Sequence, residues 1–353
     1  MKGSTSLPAV RAFLVYFLCA TAQADEPPKH QLSSVQELDR LYRRSTLAQS
    51  RNGLECFSGG RKDLDPKYQA NDQLHIFDKN TLQVWSLSSK QTEEQIGRDG
   101  VAYAALDSSG TKLAATAWFR DEATRAPYRK IVLIDLKTLD CEVAVADGWL
   151  NCNPSFSPDG RYIAYYATDR RTNPLLDPSH PLRENAGRVV NIRTKEVTTV
   201  TEPIVMSSGF YCSEEGCYGF RPPRWLDGDR VLFHSITTDP TFVRQYIGNF
   251  TGNICSYVAV ANVATGEVKR LFLLGYIPWM PAYVQSVVDP AARRLFLSDG
   301  KRVVQTDFRL GSPTVIGEAA EGEVIMTLQL ENGQVRYSKQ PLSDYHKRVL
   351  SGK

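Results

Sequence analysis

Asn153-Pro-Ser-Phe-Ser-Pro-Asp-Gly-Arg-Tyr-Ile-Ala-Tyr-Tyr166 reads as strand, tight turn, strand. Proline fixes φ at the turn and Gly160 accepts a positive φ. The pattern recurs in weaker form. The copies are Val101–Thr116 with its turn at Gly110, Pro223–His234 at Gly228, Val284–Leu297 at Pro290 and Ile325–Tyr337 at Gly333. A second hairpin follows each of the first four, at Ile131–Val143, Arg188–Val200, Tyr257–Val268 and Arg302–Ile316. Each unit thus predicts four short strands with alternating or near-continuous apolar residues.

The turns recur every 43 to 68 residues. Propeller blades repeat at about 40–50 residues, and the longer intervals require inserted loops. The expected fold is all-β, a five-bladed β-propeller, with six blades as the variant. The last copy lacks a second hairpin, and Leu74–Leu87 is a hairpin without a first one. The two are therefore expected to share one blade that closes the ring and protects the edge strands. On that count residues 74–340 are the propeller and 341–353 a tail. Residues 25–73 are an N-terminal extension, with one short helix at Ser33–Tyr42 that starts in a capping box.

The Ser-Pro-Asp-Gly-Arg-Tyr-Ile-Ala-Tyr stretch and its companions resemble the TolB-like, or WD40-like, β-propeller repeat. The resemblance covers roughly residues 74–339 and is closest at 153–166. TolB's large N-terminal α/β domain has no counterpart here. The resemblance implies a fold and leaves function to the site.

The 353-residue chain has 42% hydrophobic and 23% charged residues, so whole-chain disorder is excluded. The formal net charge of +3 and the lack of a basic stripe argue against a nucleic-acid partner. Lys2 and Arg11 precede the apolar run Ala12–Ala22, followed by Ala22-Gln23-Ala24. That is the pattern of a secretory signal peptide over residues 1–24, too short for a membrane span. A periplasmic or secreted location is expected. Six cysteines then remain, an even number for an oxidising compartment. The favoured pairs are Cys212–Cys217, Cys141–Cys152 and Cys56–Cys255, with a buried free thiol as the alternative for Cys141. No CxxC or Cys–His spacing suggests a metal, and no cofactor is expected.

The turns at 107–110, 137–139, 157–160, 194–196, 227–229 and 264–267 fall on one face. The long connections Phe119–Arg129, Thr168–Gly187, Pro203–Pro222, Ile236–Asn253 and Leu274–Pro281 fall on the other. Long loops on a compact scaffold carry function. These ones hold Arg120, Arg125, Arg170, Arg171, Phe210, Tyr211, Tyr218, Tyr246 and Trp279, residue types that dominate protein interfaces. A protein partner is the first expectation. Carbohydrate is the second, because aromatic platforms stack on sugar rings. The other class is an enzyme acting on a polysaccharide or peptide. It would use Asp121, Asp169 and Asp239, similarly placed in consecutive units, with His234 as a further candidate. No GxSxG, HExxH or P-loop occurs.

Overall fold

The structure is a computed structural model. It describes residues 29–50, 52–59, 62, 74–87, 94–96, 101–120, 127–168, 182–201, 204–207, 212–213, 216–217, 222–237, 255–272 and 285–342. The expected signal peptide and most of the expected tail lie outside those residues.

The first sheet contains β1 (Lys29–Gln31), β2 (Ser45–Gln49), β3 (Leu54–Ser58), β4 (Leu74–Asp78) and β5 (Gln83–Ser86), with α1 (Val35–Leu41) between β1 and β2. Its order is β1-β5-β4-β3-β2. The second unit is β6 (Val101–Leu106), β7 (Lys112–Arg120), β8 (Pro127–Asp135) and β9 (Cys141–Val145). The third is β10 (Leu150–Phe156), β11 (Tyr162–Thr168), β12 (Leu182–Asn191) and β13 (Val197–Thr199). A parallel contact between Leu150 and Arg129 joins these two units into one sheet. Then come β14 (Ile204–Ser207), which pairs with β12, and the small hairpin β15 (Cys212–Ser213) and β16 (Gly216–Cys217). The fourth unit is β17 (Arg224–Trp225), β18 (Arg230–Thr237), β19 (Cys255–Asn262) and β20 (Val268–Phe272). The fifth is β21 (Gln285–Asp289), β22 (Arg294–Ser298), β23 (Arg302–Asp307) and β24 (Thr314–Glu318). A final hairpin, β25 (Glu323–Glu331) and β26 (Gln334–Pro341), forms its own two-stranded sheet.

Antiparallel four-stranded meanders packed face to face are propeller blades, so the fold is propeller-type. The reason lies in the second strand of each blade. Along β11, Ile163, Tyr165 and Ala167 pack into a layer shared with the second blade. Ala164 and Tyr166 pack into a layer shared with the fourth. A strand buried on both sides must be apolar throughout, and β11 is. Similar layers join the first blade to the second, the fourth to the fifth, and the fifth to the final hairpin.

Turn chemistry holds the meanders in register. In each second hairpin an Asp or Asn accepts the backbone N–H two residues on. The residues are Asp78, Asp135, Asn191, Asn262 and Asp307. The residue four or, at Asp307, three positions further on has positive φ: Leu82, Leu139, Lys195, Gly266 and Leu310. Only one of these five is glycine, and the carboxylate or amide that braces the turn offsets the left-handed strain.

The closure expected from the sequence is corrected. Leu74–Leu87 and Ile325–Tyr337 lie in different sheets. The strands β4 and β5 have their own first hairpin, β2–β3, so the expected boundary at residue 74 falls inside a sheet. The partner of this blade's outward face is α1. Its Leu38, with Leu32 and Tyr42, covers Phe57, Phe77 and Val84. The helix forms because the Ser34 hydroxyl accepts the Glu37 N–H, while Glu37 accepts from Ser33. Its other side is exposed, with Val35 41% accessible. Shortening the fully buried Leu38 to alanine is expected to cost about 2–4 kcal/mol. A urea-denaturation midpoint unchanged by Leu38→Ala would show that α1 is not the cover of this face.

Candidate functional site

The meander sets two faces, independently of how the ends meet. One face carries the tight turns, and they are tied to one another across blades. The Asn52 amide donates to the Ser108 carbonyl, and the Ser108 hydroxyl to that of Pro158. Arg161 reaches Asp229, Arg293 reaches Asp227, and Arg294 donates to the Gly333 carbonyl. The opposite face carries the long connections.

At that second face the structure gathers a group the sequence reading did not single out. The ends of β7 and β8 place Trp118 opposite Arg129. The Arg129 guanidinium is 1% exposed and stacks on Trp118 at 3.9 Å, with the Tyr103 ring at 5.5 Å. Just across the blade junction, Arg188 of β12 stacks on Trp149 at 3.8 Å and pairs with Asp147 at 2.8 Å. Asn151 links the two halves. Its amide donates to the Arg129 carbonyl at 2.9 Å and to Asp147 at 3.0 Å. Tyr165, the cross-strand partner of Arg188, forms the floor and is fully buried. Burial pushes its phenol well above the usual range. The result is a polar and aromatic cluster at the junction of the second and third blades, buried at Arg129, Asn151 and Tyr165 and partly open at Asp147, Trp149 and Arg188. It can present oriented guanidinium and indole groups, and it holds no described nucleophile–base pair.

Of the residues expected from sequence, Arg120 ends β7. Asp121, Arg125, Asp169, Arg170, Arg171, Phe210, Tyr211, Tyr218, Asp239, Tyr246 and Trp279 lie outside the described residues. His234 is 6% exposed and sits in a joint between blades. Its N–H donates to the Tyr166 hydroxyl, which donates to the His234 carbonyl, both at 2.9 Å. Its Nε2 lies 3.2 Å from the Ser286 hydroxyl. Among the described residues no three His, Cys, Asp or Glu are grouped as a metal would require. Among them, too, no helix is long and apolar enough to cross a membrane.

Two expected disulfides are corrected. Cys56 and Cys141 are free and buried, both within the layer between the first and second blades. Cys152 is disulfide-bonded, but it faces the layer between the third and fourth blades, too far around for Cys141. Cys212 and Cys217 are direct cross-strand neighbours in β15–β16, and nothing of their side chains is described.

No family model and no curated protein matches the chain. Similar solved structures exist. The chain aligns with TolB from Acinetobacter baumannii at 18% identity and a TM-score of 0.37, over 76% of itself and 57% of TolB. It thus spans little more than half of that protein. The β-propeller domain of the Trilobed protease from Pyrococcus furiosus aligns at 11% identity and a TM-score of 0.48, over 86% of this chain and 79% of that one. Acylaminoacyl peptidase from Pyrococcus horikoshii aligns at 13% identity and 0.48, over 85% and 43%. With scores this low, the propeller-type assignment rests on the strand order described above.

Two predictions follow from buried titratable groups. Burial pushes the Cys56 thiol far up and the Cys141 thiol to about 11, so neither forms thiolate near neutral pH. Iodoacetamide is expected to leave both unmodified in the native protein and to modify both in denaturant, as read by peptide mass spectrometry. His75 stacks on Phe57 and bonds the Gly59 carbonyl, and burial lowers its pKa from 6.5 to about 4. The unfolded chain therefore binds the proton at higher pH than the folded one. Stability from neutral His75 is present above pH 6.5 and is lost as pH falls toward 4, by about 3 kcal/mol. Denaturation curves from pH 7 to 4 should be correspondingly flatter for His75→Gln.

Proposed function

We propose that this chain is an exported propeller-type recognition protein that binds a protein partner through its long-connection face. The observation that carries the reading is the guanidinium–indole stack of Arg188 on Trp149, partly open at the junction of two blades on that face, with the buried Arg129–Trp118 stack at the same junction. Stacked arginines and tryptophans are pre-organised, so a partner that meets them loses less side-chain entropy on binding. In the sequence, the connections that follow these strands contain Arg120, Arg125, Arg170 and Arg171, and the later connections contain Phe210, Tyr211, Tyr218, Tyr246 and Trp279. These residues supply the aromatic and arginine anchors typical of interface centres. Support for a single working face comes from the opposite side, where the tight turns already bond one another.

The test is affinity capture from the exported fraction of the native host. Three baits are compared: wild type, a variant with Arg170→Glu, Arg171→Glu and Trp279→Ala, and a turn-face control, Lys137→Glu with Thr265→Ala. The expected result is a defined protein recovered by wild type and control and reduced at least about tenfold by the triple variant, equivalent to about 1.4 kcal/mol. Equal recovery by all three would discard the binding-face reading.

A further inference from the structure

The apolar layer between the third and fourth blades opens, beside the outer strands, into a cavity of about 200 Å³. Its walls are Val189, Val200, Ala261, Val263 and Val268, all part of that layer. Pockets for drug-sized molecules run to about 300–1,000 Å³, so this one suits a single apolar side chain.

One side of the cavity is a sheet edge. The strand β13 ends its sheet, with β12 its one neighbour among the described residues. The Asn191 N–H donates to the Glu196 carbonyl and the Val200 N–H to that of Gly187, on either side of the Val189–Thr198 pair. Antiparallel bonding alternates, so Val197 and Thr199 turn their main-chain N–H and C=O groups outward. An open edge invites pairing unless charge, proline or a bulge blunts it. The outer strands of the other blades carry Lys29, Glu142, Lys269 with Arg270, and Glu318. Those of the second and fifth blades also meet register shifts. The Val-Thr-Thr of β13 has neither charge nor shift, and Val197 is exposed.

The polar groups at the cavity have capacity to spare. The third and fourth blades brace their second turns with Asn191 and Asn262, where the other blades use Asp. In both, Oδ1 accepts from the backbone, which leaves Nδ2 a donor without a partner among the described residues. Both asparagines line the cavity. Glu196 is its one acidic or basic lining residue and has no ion pair among the described residues.

We propose that β13 is a strand-addition site for an extended segment of a protein partner, which seats one aliphatic side chain in the cavity and sets a basic residue beside Glu196. Paired residues on neighbouring strands share a face, so the residue opposite Thr198 stands over the cavity that Thr198 lines. Bonds to the main chain of Val197 and Thr199 supply affinity, and the cavity selects the side chain. The two asparagine amides offer donors to carbonyls of the segment. The cavity and the Arg188–Trp149 stack lie on opposite faces of the third blade, so the inference does not rest on the proposed function.

Selection of phage-displayed random heptapeptides against the full chain tests it. The expected winners carry Leu, Ile, Val or Met within an alternating pattern, with Lys or Arg as a neighbour. Val263→Phe fills the cavity, and Val197→Pro removes an outward N–H and no ladder bond. Each is expected to weaken binding of a synthetic winner at least about tenfold, with the melting temperature held within a few degrees. A second measurement leaves the protein unaltered. N-methylation of alternate peptide residues should abolish binding in one register and spare it in the other. A selection with no enriched sequence, equal binding to both variants, or N-methylation harmless at every residue would overturn the proposal. So would a concentration-dependent dimer that Val197→Pro abolishes, which would assign the edge to a second copy of this chain.

Discussion

Among the described residues the inner strands of the blades are apolar on both faces, and the stacking follows from the need to cover both. A single twisted sheet cannot do so for itself. Stacking blades face to face buries the second strand on both sides, and the buried layers run from the first blade to the final hairpin. A series of blades has two ends. At the first blade the outward face is covered by α1, with Leu38 and Tyr42 over Phe57 and Phe77. A capped helix whose far side is mostly polar, with Val35 the exception, is a suitable terminus, because it buries the face and adds little new apolar surface.

The same stacking divides the work between two ends of each strand. Turns at one end are short, braced by Asp and Asn side chains, and bonded across blades. Their side-chain and backbone groups are spent on holding neighbours in register. At the other end the strands run out into long connections, and polar groups there are drawn into the junctions instead. The junction around Asn151 and the His234 joint to Ser286 are both of this kind. Buried polar groups between blades cost desolvation, so they are recovered by bonds that cross the junction and thereby fix its geometry.

The first hairpin of the first blade is legible in the sequence. Asn52-Gly53 between Ser45–Gln49 and Leu54–Ser58 is a strong hairpin signal, and Gly53 has φ of 86°. It was masked by Glu55, a charge in a strand interior. The structure explains that charge. Glu55 is 1% exposed and accepts from Arg44 and Thr46, with Lys79 at 3.1 Å, and these groups hold its carboxyl below the usual range despite burial. The fivefold Asx turn was also present in the chain as an Asp or Asn at each second hairpin. Arg129, Trp118, Asn151 and Arg188 carried no such signal. They are far apart in sequence, and each reads alone as an ordinary strand residue.

Local chemistry determined the blades. Proline–glycine turns and alternating apolar residues act over a few positions, so the sequence alone specifies the hairpins, their order and the end of each strand that bears the long connections. Tertiary structure decided what depends on distance between strands. It decided that Leu74–Ser86 completes a blade with Ser45–Ser58 and that Cys141 and Cys152 face different layers. It also decided that two arginines from separate blades meet at one junction, linked through Asn151 and Asp147. Pairing partners and side-chain facing are set by the packing of whole sheets, and no short stretch of residues encodes them.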